Sequence, residues 1–338
     1  MITCASLFFL FLLAAGPAAG ASGDSKGTVT PPPAVSSAEA VEREFQRLMD
    51  LDDAAREEIE RWMDEDEKVD AASRAQQPPI STRIRQRLEL VCRLYERFLR
   101  DHPKHVKALS AYGSLLTDMG EEERAAREWE KALELDPGDP AVWNNLGNYH
   151  SHNGRPRKAF ECYEKAISLR ESEALYYQNL AAAIYVHHPE AAAYYELNGT
   201  QLRNRVLALY RKAMARDPGN FLLATDFAQT YYGLSLLGRD SKDPPPKLED
   251  AYYEEAIEAW KTALRLAPTD EERQGVEVHL ARVNIMAGRL EEARKHLDRI
   301  TNGALAVVKR RLENNLVRKE GQGLTAPPPT LRPAPQAP

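Results

Sequence analysis

Residues 106–139 and 140–173 are two abutting segments of 34 residues that repeat one another. Gly113 and Gly120 recur as Gly147 and Gly154. Ala125, Trp129 and Ala132 recur as Ala159, Tyr163 and Ala166. A fixed period of this length constrains a chain more than its composition does. A single unit cannot bury its own apolar stripe, so successive units must stack. Within each unit the apolar residues recur at helical spacing on both sides of a glycine. The unit therefore reads as helix A, a short turn, then helix B. Small residues at Gly147 and Ala159 allow the two helices to cross closely. Trp143, Leu146, Tyr163 and Ala166 are expected on the inward faces. Gly154 supplies the left-handed conformation that ends helix A. Pro137 stops helix B of one unit before the next begins.

The motif Trp143-x2-Leu146-Gly147-x2-His150, followed by Ala159-x3-Tyr163, resembles the tetratricopeptide repeat (TPR). His150 stands where that pattern has Tyr, and Glu171 where it has its closing Pro. The preceding unit keeps its proline at Pro137. Further units follow. Residues 174–220 and 221–270 carry insertions of 13 and 16 residues between helices A and B, and 274–307 matches without one. Residues 84–103 read as the B helix of a partial repeat, and 303–319 as a capping helix. The resemblance covers about 84–320. It implies an all-α fold: a right-handed TPR α-solenoid of antiparallel helix pairs, with an N-terminal amphipathic helix and disordered termini.

The flanks read differently. Residues 1–21 combine an apolar run with a small-x-small site at Ala19-Gly20-Ala21, as in a secretory signal peptide. No Lys or Arg precedes the run, so the amino terminus alone supplies positive charge; a buried N-terminal helix is the alternative. The run is shorter than the roughly 20 residues of a membrane span. The chain is thus expected to be exported, periplasmic or extracellular. Residues 22–35 read as a disordered linker, and the Pro-rich 321–338 as a disordered tail. Ser36 with Glu39 forms a capping-box pattern opening an acidic amphipathic helix over 36–75. Residues 39–70 hold fourteen acidic and five basic residues, a local net charge of −9 against −6 for the whole chain. That helix either docks on the solenoid or pairs with another chain. Cys92 and Cys162 fall in units too far apart to bridge and are expected as buried free thiols.

No H-E-x-x-H, glycine-rich phosphate loop, G-x-S-x-G or C-x-x-C is present. No enzyme, cofactor or metal is expected. His187-His188-Pro189-Glu190 offers ligand-type side chains, but a polar insertion accounts for them equally. Asn198-Gly199-Thr200 matches a glycosylation sequon, relevant only to a eukaryotic secreted chain; otherwise it is a helix-breaking turn. Mild acidity and interleaved charges argue against nucleic acid.

The TPR resemblance implies that the A helices line a concave groove. Its ligand-facing positions are carried here by Ser110, Ser114, Asp118, Asn144, Asn145, Asn148, His152, Gln178, Asn179, Tyr185, Thr225, Asp226, Gln229, Tyr232 and Arg282. Amides bond a peptide backbone without reading its sequence. The family's carboxylate clamp is not expected, because Ser110, Ser114 and Leu175 stand where it needs Lys, Asn and cations. The implied partner is a protein or extended peptide. Self-association through the acidic helix and the basic segment KRRLENNLVRK is a second possibility, making the chain a structural spacer. An enzyme site in the inserted loops is a third. The two insertions are expected to project side by side as a rim carrying Tyr194, Tyr195, Tyr252 and Tyr253; alternatively, these tyrosines pack as local core.

Overall fold

The structure is a computed structural model that describes residues 37–69, 78–234 and 250–325. The expected signal segment, linker and Ser36 cap, most of the second insertion (235–249) and the tail from 326 lie outside the described residues. Two compact units divide the chain, one through Arg47 and one from Leu48 onward. The first contributes the opening turns of α1 (Ser37–Lys68). The packing that follows lies in the second.

The described residues are helical throughout, with no strand among them. After α1 come α2 (Ile80–Asp101), α3 (Val106–Asp118), α4 (Glu122–Leu135), α5 (Pro140–His152), α6 (Pro156–Leu169) and α7 (Ala174–Val186). A short α8 (His188–Tyr195) precedes α9 (Gly199–Arg216), α10 (Phe221–Leu234), α11 (Asp250–Leu266), α12 (Asp270–Met286), α13 (Leu290–Asp298) and α14 (Ala306–Thr325). The pairs α3–α4, α5–α6, α7–α9, α10–α11 and α12–α13 are the A and B helices of five stacked hairpins, a right-handed TPR α-solenoid.

Each joint follows from its small residues. A Cβ on Gly147 would lie 2.6–3.0 Å from the Tyr163 ring, closer than carbon atoms pack, and Ala159 beside it is fully buried. Gly154 has φ +65°, and Gly120 and Gly288 repeat that conformation. At each of these turns the N–H after the glycine closes back on the helix. Arg155 N donates to the His150 carbonyl at 2.8 Å. Asp139 caps α5 by accepting from Ala141 N at 2.9 Å, with Pro140 in the first turn.

Trp143 departs from expectation. It is half-buried, and its indole N–H donates to the Pro137 carbonyl at 2.9 Å. The indole folds over the turn between repeats, while Val142 takes the fully buried place. α12 starts at Asp270, four residues ahead of the expected unit, because Thr269 and Glu272 form a capping box. α14 runs to Thr325, into the segment expected as a disordered tail; Glu320 near its end pairs with Arg294 at 2.6 Å. α2 and α6 bury Cys92 and Cys162 as free thiols.

From residue 48 onward α1 docks on the first hairpins. Asp52 is 2% exposed and accepts from the Tyr95 hydroxyl at 2.8 Å and from Arg56 at 3.1 Å. Arg56 also pairs with Asp118 of α3. Arg87 pairs with Glu58 at 2.7 Å, and Arg83 lies 4.4 Å from the Trp62 ring centroid. A buried carboxylate is stable only when fully paired, so this network holds the helix against α2 and α3.

Candidate functional site

The A helices α3, α5, α7, α10 and α12 line one side of the stack, and side-chain bonds link several of them in succession. Asn179 Nδ2 of α7 donates to Asn144 Oδ1 of α5 at 2.9 Å. Gln178 Nε2 of α7 donates to Asp226 Oδ2 of α10 at 2.7 Å. The Tyr232 hydroxyl of α10 meets His279 Nδ1 of α12 at 3.2 Å. The Arg282 guanidinium sits 5.6 Å from the Tyr232 ring centroid.

This arrangement revises the expected row of amides offered to a ligand. Asn144 is 1% exposed, and Asn145, Gln178 and Asn179 are also buried. Close helix packing removes these groups from water, and a buried amide must then find a protein partner. The Asn179 amide N–H satisfies the Asn144 oxygen. Asn148 is half-buried and accepts from the Tyr163 hydroxyl at 2.8 Å. Asp118 is held by Arg56, so α1 takes the charge that a ligand was expected to meet. Tyr185 is half-buried with its ring against Gly233. The Thr225 hydroxyl turns back to the Leu222 carbonyl at 2.8 Å. Ser114 bonds back to Ser110 O at 3.3 Å.

His152 and Gln229 remain exposed, and Arg282 half-exposed. Three apolar residues join them, and their meaning was missed at the sequence level. Helical spacing puts Leu222 on the stripe of Thr225, Asp226 and Gln229, Val186 on that of Gln178 and Asn179, and Met286 on that of Arg282. Leu222 is 70% exposed, Val186 65% and Met286 42%. An apolar residue at a ligand-facing repeat position was the available signal. Leu222 thus shares the exposed stripe of Gln229 on α10, whereas Val186 closes α7 and Met286, at the end of α12, borders a hollow with Tyr253, Asn315 and Arg318.

The electrostatics are those of a packed surface. Burial, with the Arg282 charge adding to it, pushes His279 down to about 4, so its imidazole is neutral near pH 7. That ring stacks on Trp260 at 4.2 Å between centroids. Burial raises Asp226, opposed by the bond from Gln178. Burial, aided by Lys158 and Arg155, lowers His150.

The first insertion is a helix rather than a polar loop. Pro189 sits in the first turn of α8, and Ala191 is fully buried. Tyr194 and Tyr195 pack on Phe160 of α6 with ring centroids at 5.5 and 5.6 Å. The Tyr195 hydroxyl donates to Glu164 at 3.0 Å, and Arg205 lies 3.9 Å above its ring. His187 meets the Ser151 hydroxyl at 3.1 Å. Asn198 and Gln201 form the capping box of α9. Tyr252 bonds the Tyr231 carbonyl, with Tyr253 beside it at 6.0 Å between rings. All four tyrosines are half-buried against the central core. A separate cleft of about 370 Å³ opens among α9, α10 and α11, floored by Phe227 and Tyr231 and edged by Arg211 and Glu255, which pair at 2.9 Å.

Two family models of the tetratricopeptide repeat match the chain, over residues 106–149 and 140–173. No curated protein matches it significantly. Among solved structures, the C-terminal part of a TPR repeat-containing protein from Cytophaga hutchinsonii is similar at 16% identity, covering 82% of this chain and 99% of that one, with a TM-score of 0.49. Pseudomonas aeruginosa pilF is similar at 14% identity over 68% of this chain and 90% of that one, TM-score 0.48. YrrB, described as a TPR protein with an unusual peptide-binding site, is similar at 13% identity over 65% and 97%, TM-score 0.47.

Proposed function

Because this chain is a tetratricopeptide-repeat protein, a fold that generally serves as a protein-interaction scaffold, we propose that it is an exported, non-enzymatic adaptor holding a protein or extended peptide on its inner face. One observation carries the reading: on the A-helix positions the repeat assigns to ligand, Gln229 is exposed and Arg282 half-exposed, and Leu222, 70% exposed, lies two turns from Gln229 on the same stripe of α10. An exposed leucine beside an exposed amide offers a peptide both apolar area and hydrogen bonds. Gln229 can both donate to and accept from a peptide backbone, and Arg282 can receive a carbonyl or carboxylate. Export is supported by the apolar segment and small-residue site in residues 1–21.

Peptide display against the whole chain tests the binding. Selected peptides should bind the parent and lose at least about tenfold in affinity, roughly 1.4 kcal/mol, to Leu222→Asp or Gln229→Ala/Arg282→Ala. Peptides that bind all three alike would overturn the inner face as the site. Export is checked by the mature N-terminus in the native host, which should start near residue 22; an intact Met1 in the native cell would contradict it.

A further inference from the structure

The two end helices carry complementary outward stripes, which the inner-face reading does not use. On α1, Asp53, Glu57, Glu60 and Asp64 are all exposed. Their spacing of four, three and four places them on one line along the helix, across from the side of buried Asp52 and Ala55. The stripe is crowded with like charge. Half-exposed Met63 lies beside it at 50%, while Leu51 falls on the far side of the helix.

α14 presents the opposite chemistry. Leu312 and Leu316 face α12 and α13, buried with Ile285 and Leu297. The outer side carries Val307, Arg310, Arg311, Asn314, Val317 and Arg318, all exposed, with one carboxylate, exposed Glu313, at its edge between Arg310 and Val317. Val307 is 73% and Val317 62% exposed. A capping helix that ended the stack alone would be expected to close it with a polar outer face. Two valines framed by three arginines instead match the composition of an interface. Each stripe spans twelve residues, eleven steps of 1.5 Å or about 17 Å, so their lengths agree.

The stripes cannot meet within one molecule. α1 packs on α2 and α3 at the start of the stack, and α14 packs on α12 and α13 at its end. We propose that a second copy of this chain covers them: the acidic outer stripe of α1 in one copy docks on the arginine–valine stripe of α14 in the next. The contact is heterologous, so it builds head-to-tail chains, or rings where the rotation closes. Guanidinium–carboxylate pairs set the register, and Met63 beside the stripe supplies apolar area for a valine of α14.

Sedimentation equilibrium of the whole chain tests this, at about 50 and about 500 mM salt, across which the Debye length shrinks about threefold. The parent should associate, with an apparent dissociation constant at least about tenfold weaker at the higher salt. Glu57→Lys/Glu60→Lys/Asp64→Lys should be monomeric, as should Arg310→Glu/Arg311→Glu/Arg318→Glu. Mixing the two variants should restore association, because each then carries the complement of the other. That rescue also shows that both variants are folded. A parent that stays monomeric at low salt would overturn the proposal. So would association that survives either charge reversal, or reversed variants that fail to associate when mixed.

Discussion

The Asn144–Asn179 bond separates a structural amide from one reserved for a ligand. Asn179→Ala removes the donor and leaves Asn144 Oδ1, 1% exposed, without it. The lost bond and the unsatisfied acceptor together cost about 2 kcal/mol. Asn144→Ala leaves the buried Asn179 amide unpaired and costs a similar amount. Removing both sides leaves no orphaned group, so the double variant costs about 2–3 kcal/mol rather than the sum. The coupling is then about 1–2 kcal/mol. The pair joins adjacent A helices, so in a repeat stack the loss falls on one nearest-neighbour interface. Urea unfolding followed by circular dichroism reads the effect. With m near roughly 3 kcal/mol/M for a body of this size, each single variant moves the midpoint by about 0.7 M. Single variants within about 0.5 kcal/mol of the parent, with no measurable coupling, would refute the assignment of these amides to the scaffold.

Other consequences follow from the same contacts. Gly147→Val drives a side chain into the Tyr163 ring and should cost about 1–3 kcal/mol, read as a lowered urea midpoint. Tyr95→Phe takes the hydroxyl from the buried Asp52 carboxylate and should cost about 1.5–3 kcal/mol, with added protease cleavage near α1. His279 titrates at about 4 when folded and near 6.5 when unfolded, so below pH 6.5 the unfolded chain binds the extra proton. Its contribution to stability is intact above that range and lost as pH falls toward 4, by no more than about 3 kcal/mol. The parent-minus-His279→Gln difference in unfolding free energy should therefore shrink over that window; a flat difference would contradict a buried neutral imidazole.

The repeat was legible because it is local. Gly147, Ala159 and Tyr163 meet across one turn, and the 34-residue period carries that geometry from unit to unit. Where contacts cross between units, the sequence was silent. The stripe holding Asn144 and Asn179 is visible as helical spacing, but spacing alone does not say that the two side chains bond each other. Asp118 occupies a ligand-facing position of its own repeat, yet the residue that meets it, Arg56, comes from a helix 62 positions away. The HHPEAAAYY segment looked like a polar loop because of its histidines and proline. A proline is tolerated in the first helical turn, and the alanines and tyrosines behind it fold as α8. Trp143 was placed in the joint by its hydrophobicity, whereas its indole N–H needed the Pro137 carbonyl. Leu222, Val186 and Met286 carry no motif at all, and only their exposure distinguishes them from core residues.

The central claim is that the inner face of α7, α10 and α12 holds a protein partner. It is tested most directly by affinity capture from source-cell extract. The whole chain and a Leu222→Asp/Gln229→Ala/Arg282→Glu variant, shown to be equally folded by thermal unfolding, serve as baits. The account predicts at least one protein held by the parent and depleted at least about tenfold on the variant, roughly 1.4 kcal/mol. Identical captures on the two baits would contradict it.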